Sequence, residues 1–248
     1  MNSSEIVTYL DWDSTFFDMK IAKIVDNYIE PNSLEDAFVW CNSHKIDCLY
    51  FLCDSDSITS ITLAEENKFH LVDIRITFRK TENLVPSELD LKFQANIRDY
   101  VVDDIPRLKA MAKESFRFTR FYNDGNFERD RCDALYETWA EKATHETSGF
   151  VIVAEIESQA VGYITGKASQ AIIGKIELIA VDSRFRGLGI GHALVNGALD
   201  WFSKRNIASV EVVTQGRNIK AQRMYQKNGF STDAIQLWYH KWFGKNYQ

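Results

Sequence analysis

Three glycines within five positions, Gly187, Gly189 and Gly191, stand between two ordered segments of this 248-residue chain. The apolar segment IELIAV (176–181) precedes them and a helical pattern extends after them to about residue 204. Glycine loses more backbone entropy on folding than any other residue, so this loop requires a backbone that side chains would obstruct. A strand, a turn and a helix N-terminus in this order present free N–H groups, which favours a phosphate ligand.

Two common phosphate-binding motifs fit the loop poorly. The nucleotide P-loop pattern G-x-x-x-x-G-K-[ST] does not occur here. The dinucleotide pattern G-x-G-x-x-G lacks its third glycine, because His192 or Leu194 occupies that position. The residues do match R-x-x-G-x-G from Arg186 to Gly191, and Arg184 adds a second positive charge.

This loop, followed by N-x-x-A-x-x-x-Y-x-x-x-G-F (218–230), resembles the GNAT acetyltransferase superfamily. The resemblance covers the chain from about residue 93 to its end. It implies an α/β fold with a mixed, mostly antiparallel sheet flanked by helices, preceded by a smaller αβ domain. It also implies acetyl-CoA as the co-substrate, with its pyrophosphate on the glycine loop, and no metal.

The resemblance assigns a set of cofactor-binding positions in and around the loop. Backbone N–H groups of the strand before the loop would face the thioester and the pantetheine arm. The predicted cofactor-binding residues are Ile179, Ala180, Val181, Arg186, Gly187, Leu188, Gly189, Ile190, Gly191, His192 and Asn218. Asn218 opens the next helical segment, so a helix cap is a compatible second role for it.

Two residues are predicted to be catalytic. By its position in the family motif, Tyr225 would protonate the departing thiolate; the alternative is a core tyrosine on an amphipathic helix. Glu177 lies in the strand before the loop, where many family members place a carboxylate as the general base, acting directly or through water. The alternative for Glu177 is a carboxylate held by a salt bridge.

The acceptor is predicted from further segments, 10–24, 115–124, 135–143 and 214–242. They resemble TDP-fucosamine acetyltransferase and related enzymes that acetylate a nucleotide-linked (dTDP) 4-amino-4,6-dideoxy sugar. Such a substrate requires cations for its diphosphate and aromatic planes for its rings. The candidate substrate residues are Arg117, Arg120, Tyr122 and Trp238, with Arg117 preferred for the diphosphate. Two alternatives stay open: a protein N-terminus, lysine or other small amine as acceptor, and a non-catalytic coenzyme A-binding module.

The sequence pattern predicts two domains. A proline-containing segment of low hydrophobicity predicts a linker at 83–92 between an N-terminal αβ domain (1–82) and the acetyltransferase domain (93–248). The first domain shows a helix over 33–45 with Ser33 as its N-cap, a strand over 49–53, a helix over 57–69 and a strand over 70–80. A shift of 161 positions aligns this order with the C-terminal half, as a degenerate repeat or as shared αβ patterning.

Composition excludes several classes of protein. A net charge of −6 without a basic run argues against nucleic-acid binding. The N-terminus has no basic lead with an apolar core, and no stretch of about 18 apolar residues occurs, so we expect a cytoplasmic protein without a membrane span. The four cysteines have no disulfide or C-x-x-C spacing, which predicts buried reduced thiols. The apolar closing strand suggests a homodimer.

Overall fold

The computed structural model describes residues 6–81, 84, 95–169 and 173–244. Its strands are β1 (Val7–Tyr9), β2 (Ile21–Ile24), β3 (Cys48–Asp54), β4 (His70–Thr81), β5 (Asn96–Asp99), β6 (Gly149–Ile156), β7 (Gln159–Ser169), β8 (Ile173–Val181), β9 (Ser209–Gln215) and β10 (Ser231–Trp242). Its helices are α1 (Asp11–Phe17), α2 (Pro31–His44), α3 (Ile58–Glu66), α4 (Ile105–Ser115), α5 (Arg120–Asn123), α6 (Arg129–His145), α7 (Ile190–Ser203) and α8 (Ile219–Lys227).

The chain divides into two compact units that differ from the predicted domains. The first unit comprises Met1–Ile76, Thr119–Arg131 and Ala234–Gln248, and the second comprises Thr77–Phe118 and Cys132–Asp233, as far as these are described. Each of the two later segments of the first unit returns to it after a long stretch of the second. The predicted linker 83–92 lies outside the described residues except for Leu84.

In the first unit, strands β1, β2, β3 and β10 are neighbours in that order. β2 runs parallel to β3, whereas β10 runs antiparallel to it, with Trp238 opposite Leu52. All residues of β3 except the last are buried, which explains its continuous apolar sequence.

The predicted start of the helix at 33–45 was wrong. Helix α2 begins at Pro31 with Glu30 as N-cap, so Ser33 lies inside the helix. Proline fixes φ at a helical value and needs no hydrogen-bond acceptor at the first helical position.

The internal regularity of the sequence recurs in the structure. Adding 161 to the bounds of β3, α3 and β4 gives the bounds of β9, α8 and β10. β3 pairs in parallel with β2, and β9 pairs in parallel with β8. In each case one α-helix, α2 or α7, lies between the two strands in the sequence. A degenerate repeat and shared αβ patterning both predict this correspondence, so the repeat stays a prediction.

A buried polar cluster joins the returning segments of the first unit. Asp124 Oδ2 accepts hydrogen bonds from His240 Nδ1 at 2.6 Å and from Trp242 Nε1 at 2.8 Å. Both Asp124 and His240 are almost fully buried. Burial lowers the pKa of His240 to about 4, although the carboxylate opposes this shift. Burial acts to raise the pKa of Asp124, but the hydrogen bond and attraction of His240, together with the hydrogen bonds from Trp242 and the N–H of Asn126, lower it overall.

Acid is therefore expected to destabilise the fold through His240. Its unfolded pKa is near 6.5, so between that pH and about 4 the unfolded chain binds a proton that the folded chain rejects. The free energy of unfolding, measured by urea denaturation, should fall as the pH decreases across this range. His240→Phe should lose part of this dependence, and His145→Gln, at an exposed position, should keep it. Equal pH dependence in all three proteins would contradict the assignment.

In the second unit, strands β9, β8, β7, β6 and β5 are neighbours in that order. β5 to β8 pair antiparallel in succession, and β9 joins β8 in parallel. Helix α7 packs on this sheet through residues such as Leu194 and Phe202, which are fully buried. The predicted mixed, mostly antiparallel sheet flanked by helices is thus confirmed.

Two further predictions concern the cysteines and membrane-spanning helices. Cys41, Cys48, Cys53 and Cys132 are all buried and free of disulfides, which confirms the prediction of reduced core thiols. Among the described residues, no helix combines the length and apolar character that crossing a membrane requires.

Candidate active site

The second unit opens at the carboxyl ends of β8 and β9. The parallel register of the two strands ends where Ile176 pairs with Val212, although β8 continues to Val181 and β9 to Gln215. On its other edge β8 stays paired with β7 as far as Val181, which lies opposite Gly162. The last residues of β8 therefore have a sheet partner on one side only. A strand needs such an unpaired side if its backbone N–H groups are to bind a ligand.

A bulge in β8 coincides with this opening. Thr165 pairs with Leu178 but the next residue, Gly166, pairs with Ile176, so Glu177 is the extra residue. The Oγ1 atom of Thr165 accepts a hydrogen bond from the N–H of Leu178 at 3.1 Å. Bulges of this kind bend a strand and redirect its side chains next to functional sites.

Glu177 is exposed on the strand and forms an ion pair. Its Oε1 lies 2.8 Å from Nζ of Lys167, whose pKa is raised chiefly by this hydrogen bond. The side chains of Glu177 and Lys167 are 36% and 35% exposed, so solvent reaches both. The geometry agrees with the salt-bridge alternative and leaves the role of general base as a prediction.

Left-handed backbone explains two of the three glycines. Gly187 has φ 84° and Gly189, the N-cap of α7, has φ 86°. Residues other than glycine rarely adopt this backbone conformation, and β-branched residues are true outliers in it. Gly191 serves a different purpose, because a Cβ atom at this position would lie 2.7 Å from the Met224 sulfur atom on α8.

A cavity of about 530 Å³ lies at this opening. Its walls are the end of β8, the glycine loop, the first turn of α7 and one side of α8. The lining residues are Ile179, Ala180, Val181, Phe185, Arg186, Gly187, Gly189, Ile190, Gly191, His192, Lys220, Ala221, Arg223, Met224 and Lys227. The structure therefore brings together nine of the eleven predicted cofactor-binding residues, and Leu188 and Asn218 lie outside this set.

Four cationic side chains line the cavity: Arg186, Lys220, Arg223 and Lys227. The guanidinium of Arg186 donates to the carbonyl oxygen of Val181 at 3.0 Å, which fixes it beside the strand end. The three basic residues of α8 were missed by the sequence analysis. Their spacing of three and then four residues on one amphipathic helix is the signal that would have found them. Together with the N-terminus of α7, they make the cavity suitable for a ligand with several phosphates.

Asn218 and His192 occupy defined positions at the ends of two helices. Asn218 caps α8, since its Oδ1 accepts from the N–H of Ala221 at 3.2 Å, and this confirms the predicted cap. His192 is 8% exposed, and its Nε2 lies 3.2 Å from Nδ2 of Asn196, one turn further along α7. His192 is also one of the lining residues, so this mostly buried side chain forms part of the cavity wall.

Tyr225 lies on α8 directly after Met224 and is only 2% exposed. Its ring packs against Phe78 and Phe230, with ring centroids 5.9 Å apart in each case. Burial raises the pKa of its hydroxyl, so the phenol keeps its proton at neutral pH. The residue lies outside the lining of the cavity.

The candidate substrate residues fall into two groups. Arg117 is exposed and belongs to the second unit. Arg120 and Trp238 lie together in the first unit, with the guanidinium carbon 4.0 Å from the indole ring centroid. Tyr122, in the same unit, has the guanidinium of Arg129 at 5.8 Å from its ring. Sequence reasoning missed Tyr50, which stacks on Arg120, because no local pattern links two positions 70 residues apart.

Comparison with known proteins identifies the family. The sequence model described as Acetyltransferase (GNAT) family matches residues 108–230 of this chain. An uncharacterized N-acetyltransferase of Archaeoglobus fulgidus is 30% identical over 50% of this chain and 84% of its own length.

Two relatives bear names that refer to sugars or polysaccharides. The spore coat polysaccharide biosynthesis protein SpsD of Bacillus subtilis is 26% identical over 57% of this chain and 49% of its own length. The dTDP-fucosamine acetyltransferase of Escherichia coli O6:H1 is 28% identical over 64% of this chain and 71% of its own length. The chain thus spans half or less of the length of several curated relatives that it matches.

A solved structure shows that the likeness of fold extends over nearly the whole chain. The GCN5-related N-acetyltransferase from Sphaerobacter thermophilus superposes with a TM-score of 0.68, covering 95% of this chain and 76% of that one. Sequence identity over this superposition is 14%, so the match establishes the fold alone. From the motif, the opened sheet and these matches together, the chain belongs to the acetyltransferase (GNAT) family.

Proposed function

We propose that this protein transfers the acetyl group of acetyl-CoA directly to the amino group of a dTDP-linked 4-amino-4,6-dideoxy sugar. The observation that carries acetyl transfer is the cavity at the opened end of β8, with a glycine loop, a helix N-terminus and four cations around it. Its volume of about 530 Å³ lies within the usual range of small-molecule and cofactor sites.

The residues present fit coenzyme A in charge and shape. Gly187 and Gly189 let the loop backbone approach a pyrophosphate, and the first N–H groups of α7 have no helical acceptor. Arg186 and the basic residues of α8 would neutralise the phosphates. When bound, acetyl-CoA supplies the activated acetyl group.

The chain's own groups would then serve three chemical needs. N–H groups of the strand end, Ile179–Val181, would hydrogen-bond the thioester carbonyl oxygen as negative charge develops there. Glu177 would accept the proton that the amine loses as its nitrogen bonds to the carbonyl carbon. Tyr225 would donate a proton to the sulfur as the C–S bond breaks.

The sugar acceptor rests on separate support. The E. coli relative is named a dTDP-fucosamine acetyltransferase and the B. subtilis relative a spore coat polysaccharide biosynthesis protein. Arg117, Arg120, Tyr122 and Trp238 are the candidate contacts for such an acceptor. The rival acceptor is a protein N-terminus, a lysine or another small amine, which the same family fold also serves.

A thiol-release assay with acetyl-CoA tests both levels of the proposal. The acceptors are dTDP-4-amino-4,6-dideoxyhexoses, the corresponding free amino sugars and a panel of peptides. We expect turnover only with the nucleotide-linked sugars. Turnover with peptides alone would refute the sugar acceptor and retain acetyl transfer. The absence of acetyl-CoA binding by calorimetry would refute acetyl transfer itself.

Glu177→Gln tests the proposed base against the salt-bridge alternative. If the carboxylate accepts the proton, turnover should fall about 10²- to 10⁴-fold. Lys167→Gln removes the same ion pair but keeps the carboxylate, and an exposed pair contributes at most about 1 kcal/mol to stability. We therefore expect Lys167→Gln to retain most of the turnover. Equal, small losses in the two variants would leave Glu177 with a structural role only.

A further inference from the structure

Arg120 is the centre of a cation–aromatic cluster in the first unit. Its guanidinium carbon lies 4.5 Å from the ring centroid of Tyr50 and 4.0 Å from that of Trp238. These residues come from α5, β3 and β10, and β3 and β10 are directly paired with Leu52 opposite Trp238. The two aromatic members of the cluster therefore sit on paired, regular strands, which hold side chains more precisely than loops do.

Two buried polar groups in this cluster lack a hydrogen-bond partner among the described residues. They are Nη1 of Arg120 and the hydroxyl of Tyr50, a residue that is fully buried. Burial, the largest effect, raises the pKa of Tyr50, so its hydroxyl is a donor at neutral pH. Buried donors without acceptors cost free energy, and a ligand that supplies acceptor atoms would recover it.

The cluster also contains further cationic side chains. The amino group of Lys23 lies 5.9 Å from the Trp238 ring centroid and forms no ion pair with a described carboxylate. Its pKa is lowered by burial and by the charges of Arg120 and Arg75. The nearby carboxyl of Asp13 has a raised pKa, because its burial outweighs the effect of Arg120. Arg75, whose Nη1 donates a hydrogen bond to Oε1 of Gln236 on β10 at 3.2 Å, adds a third cationic side chain to this region.

We propose that Lys23, Arg75 and Arg120, with the Tyr50 hydroxyl, bind the diphosphate of the nucleotide-linked acceptor. The inference rests on the proposed function for its ligand. Repulsion among three neighbouring cations is relieved best by a group with several negative charges, and a guanidinium fork matches phosphate oxygens. Trp238 gives the site an aromatic surface, which suits the ring of a nucleotide base.

This assignment replaces Arg117 as the preferred diphosphate contact. Arg117 is exposed, and the structure describes no aromatic partner for it. Arg120, three residues later, has two aromatic partners in the cluster and a buried unpartnered nitrogen atom. Lys23, Tyr50 and Arg75 were absent from the sequence prediction because they join the cluster only through tertiary structure.

Calorimetry with dTDP, pyrophosphate and thymidine on the full chain tests the site without catalysis. We expect dTDP to bind more tightly than pyrophosphate, and thymidine to bind weakly. Lys23→Gln and Arg120→Gln should each raise the Kd for dTDP at least 10-fold. Tyr50→Phe, which deletes only the hydroxyl, should raise it several-fold. Lys45→Gln, an exposed lysine of the same unit, should leave it unchanged. Circular dichroism and thermal melting establish that each variant is folded.

The outcomes separate this site from the proposed function. No binding of dTDP, or equal Kd values in wild type, Lys23→Gln and Arg120→Gln, would overturn the site. Equal affinity for pyrophosphate and dTDP would assign it to free diphosphate and overturn the acceptor assignment. Acetylation of a nucleotide sugar with unchanged kcat/KM in both variants would refute the site and retain the function. Binding of dTDP that depends on both residues, without any acetylation, would support the site and refute the function.

Discussion

Gly189→Val is expected to weaken the binding of acetyl-CoA at least 100-fold. Gly189 has φ 86° and is the N-cap of α7, so it sets the direction in which the first N–H groups of the helix point. Valine, which is β-branched, is a genuine outlier in this backbone region. The loop would have to leave its conformation, and the new side chain would occupy the wall of the cavity. Isothermal titration calorimetry with acetyl-CoA measures the loss.

A matched control separates this local effect from a general loss of stability. Gly125→Ala places a methyl group where no atom lies within 4 Å and where the backbone is not left-handed, so it should bind acetyl-CoA like wild type. Gly187→Ala provides an intermediate case, with a φ of 84° but open space around the new Cβ atom. Wild-type affinity in a folded Gly189→Val variant would remove the glycine loop from cofactor binding.

The local features of this fold are readable from the sequence because short-range chemistry determines them. The glycine loop and the cap at Asn218 are set by residues within a few positions of each other. The matching order of elements at a spacing of 161 positions likewise follows from local patterns that occur in both halves. The start of α2 is also determined locally, since Pro31, and not Ser33, carries the helix-start signal.

Features that depend on pairing and packing between different segments of the chain could not be predicted from the sequence. The end of the β8–β9 pairing at Ile176 involves two strands separated by a whole helix. The pairing of Lys167 with Glu177 depends on the register of a hairpin and its bulge, which no propensity encodes. The return of segments 119–131 and 234–244 to the first unit assembles the cluster around Arg120. Each of these features brings residues into contact through strand pairing or tertiary packing, which local sequence patterns do not determine.

Tyr225→Phe is expected to lower turnover about 10²- to 10⁴-fold while leaving the affinity for acetyl-CoA unchanged. The substitution removes one oxygen atom and keeps the ring that packs against Phe78 and Phe230. A loss of turnover would therefore report the missing proton donor. Single-turnover measurements of acetyl transfer isolate the chemical step from product release. Product release limits the steady-state turnover rate of many enzymes.

Tyr163→Phe is the matched control for this prediction. Tyr163 is also a fully buried tyrosine of the second unit, its pKa is likewise raised by burial, and its hydroxyl has no partner among the described residues. We expect it to retain wild-type turnover. Comparable single-turnover rates in the Tyr225 and Tyr163 variants would make Tyr225 a core residue.

The pH profile gives a second, independent test of Tyr225. Because burial raises its pKa above the usual value near 10, the hydroxyl stays protonated as the pH rises through the neutral and mildly alkaline range. A proton donor of this kind causes no loss of wild-type turnover between pH 7 and about 9. If the phenol is the donor, turnover in Tyr225→Phe should be low at every pH and should depend on proton supply from buffer or water. Recovery of full turnover in the variant at any pH in this range would instead show that the leaving thiolate needs no acid from the protein.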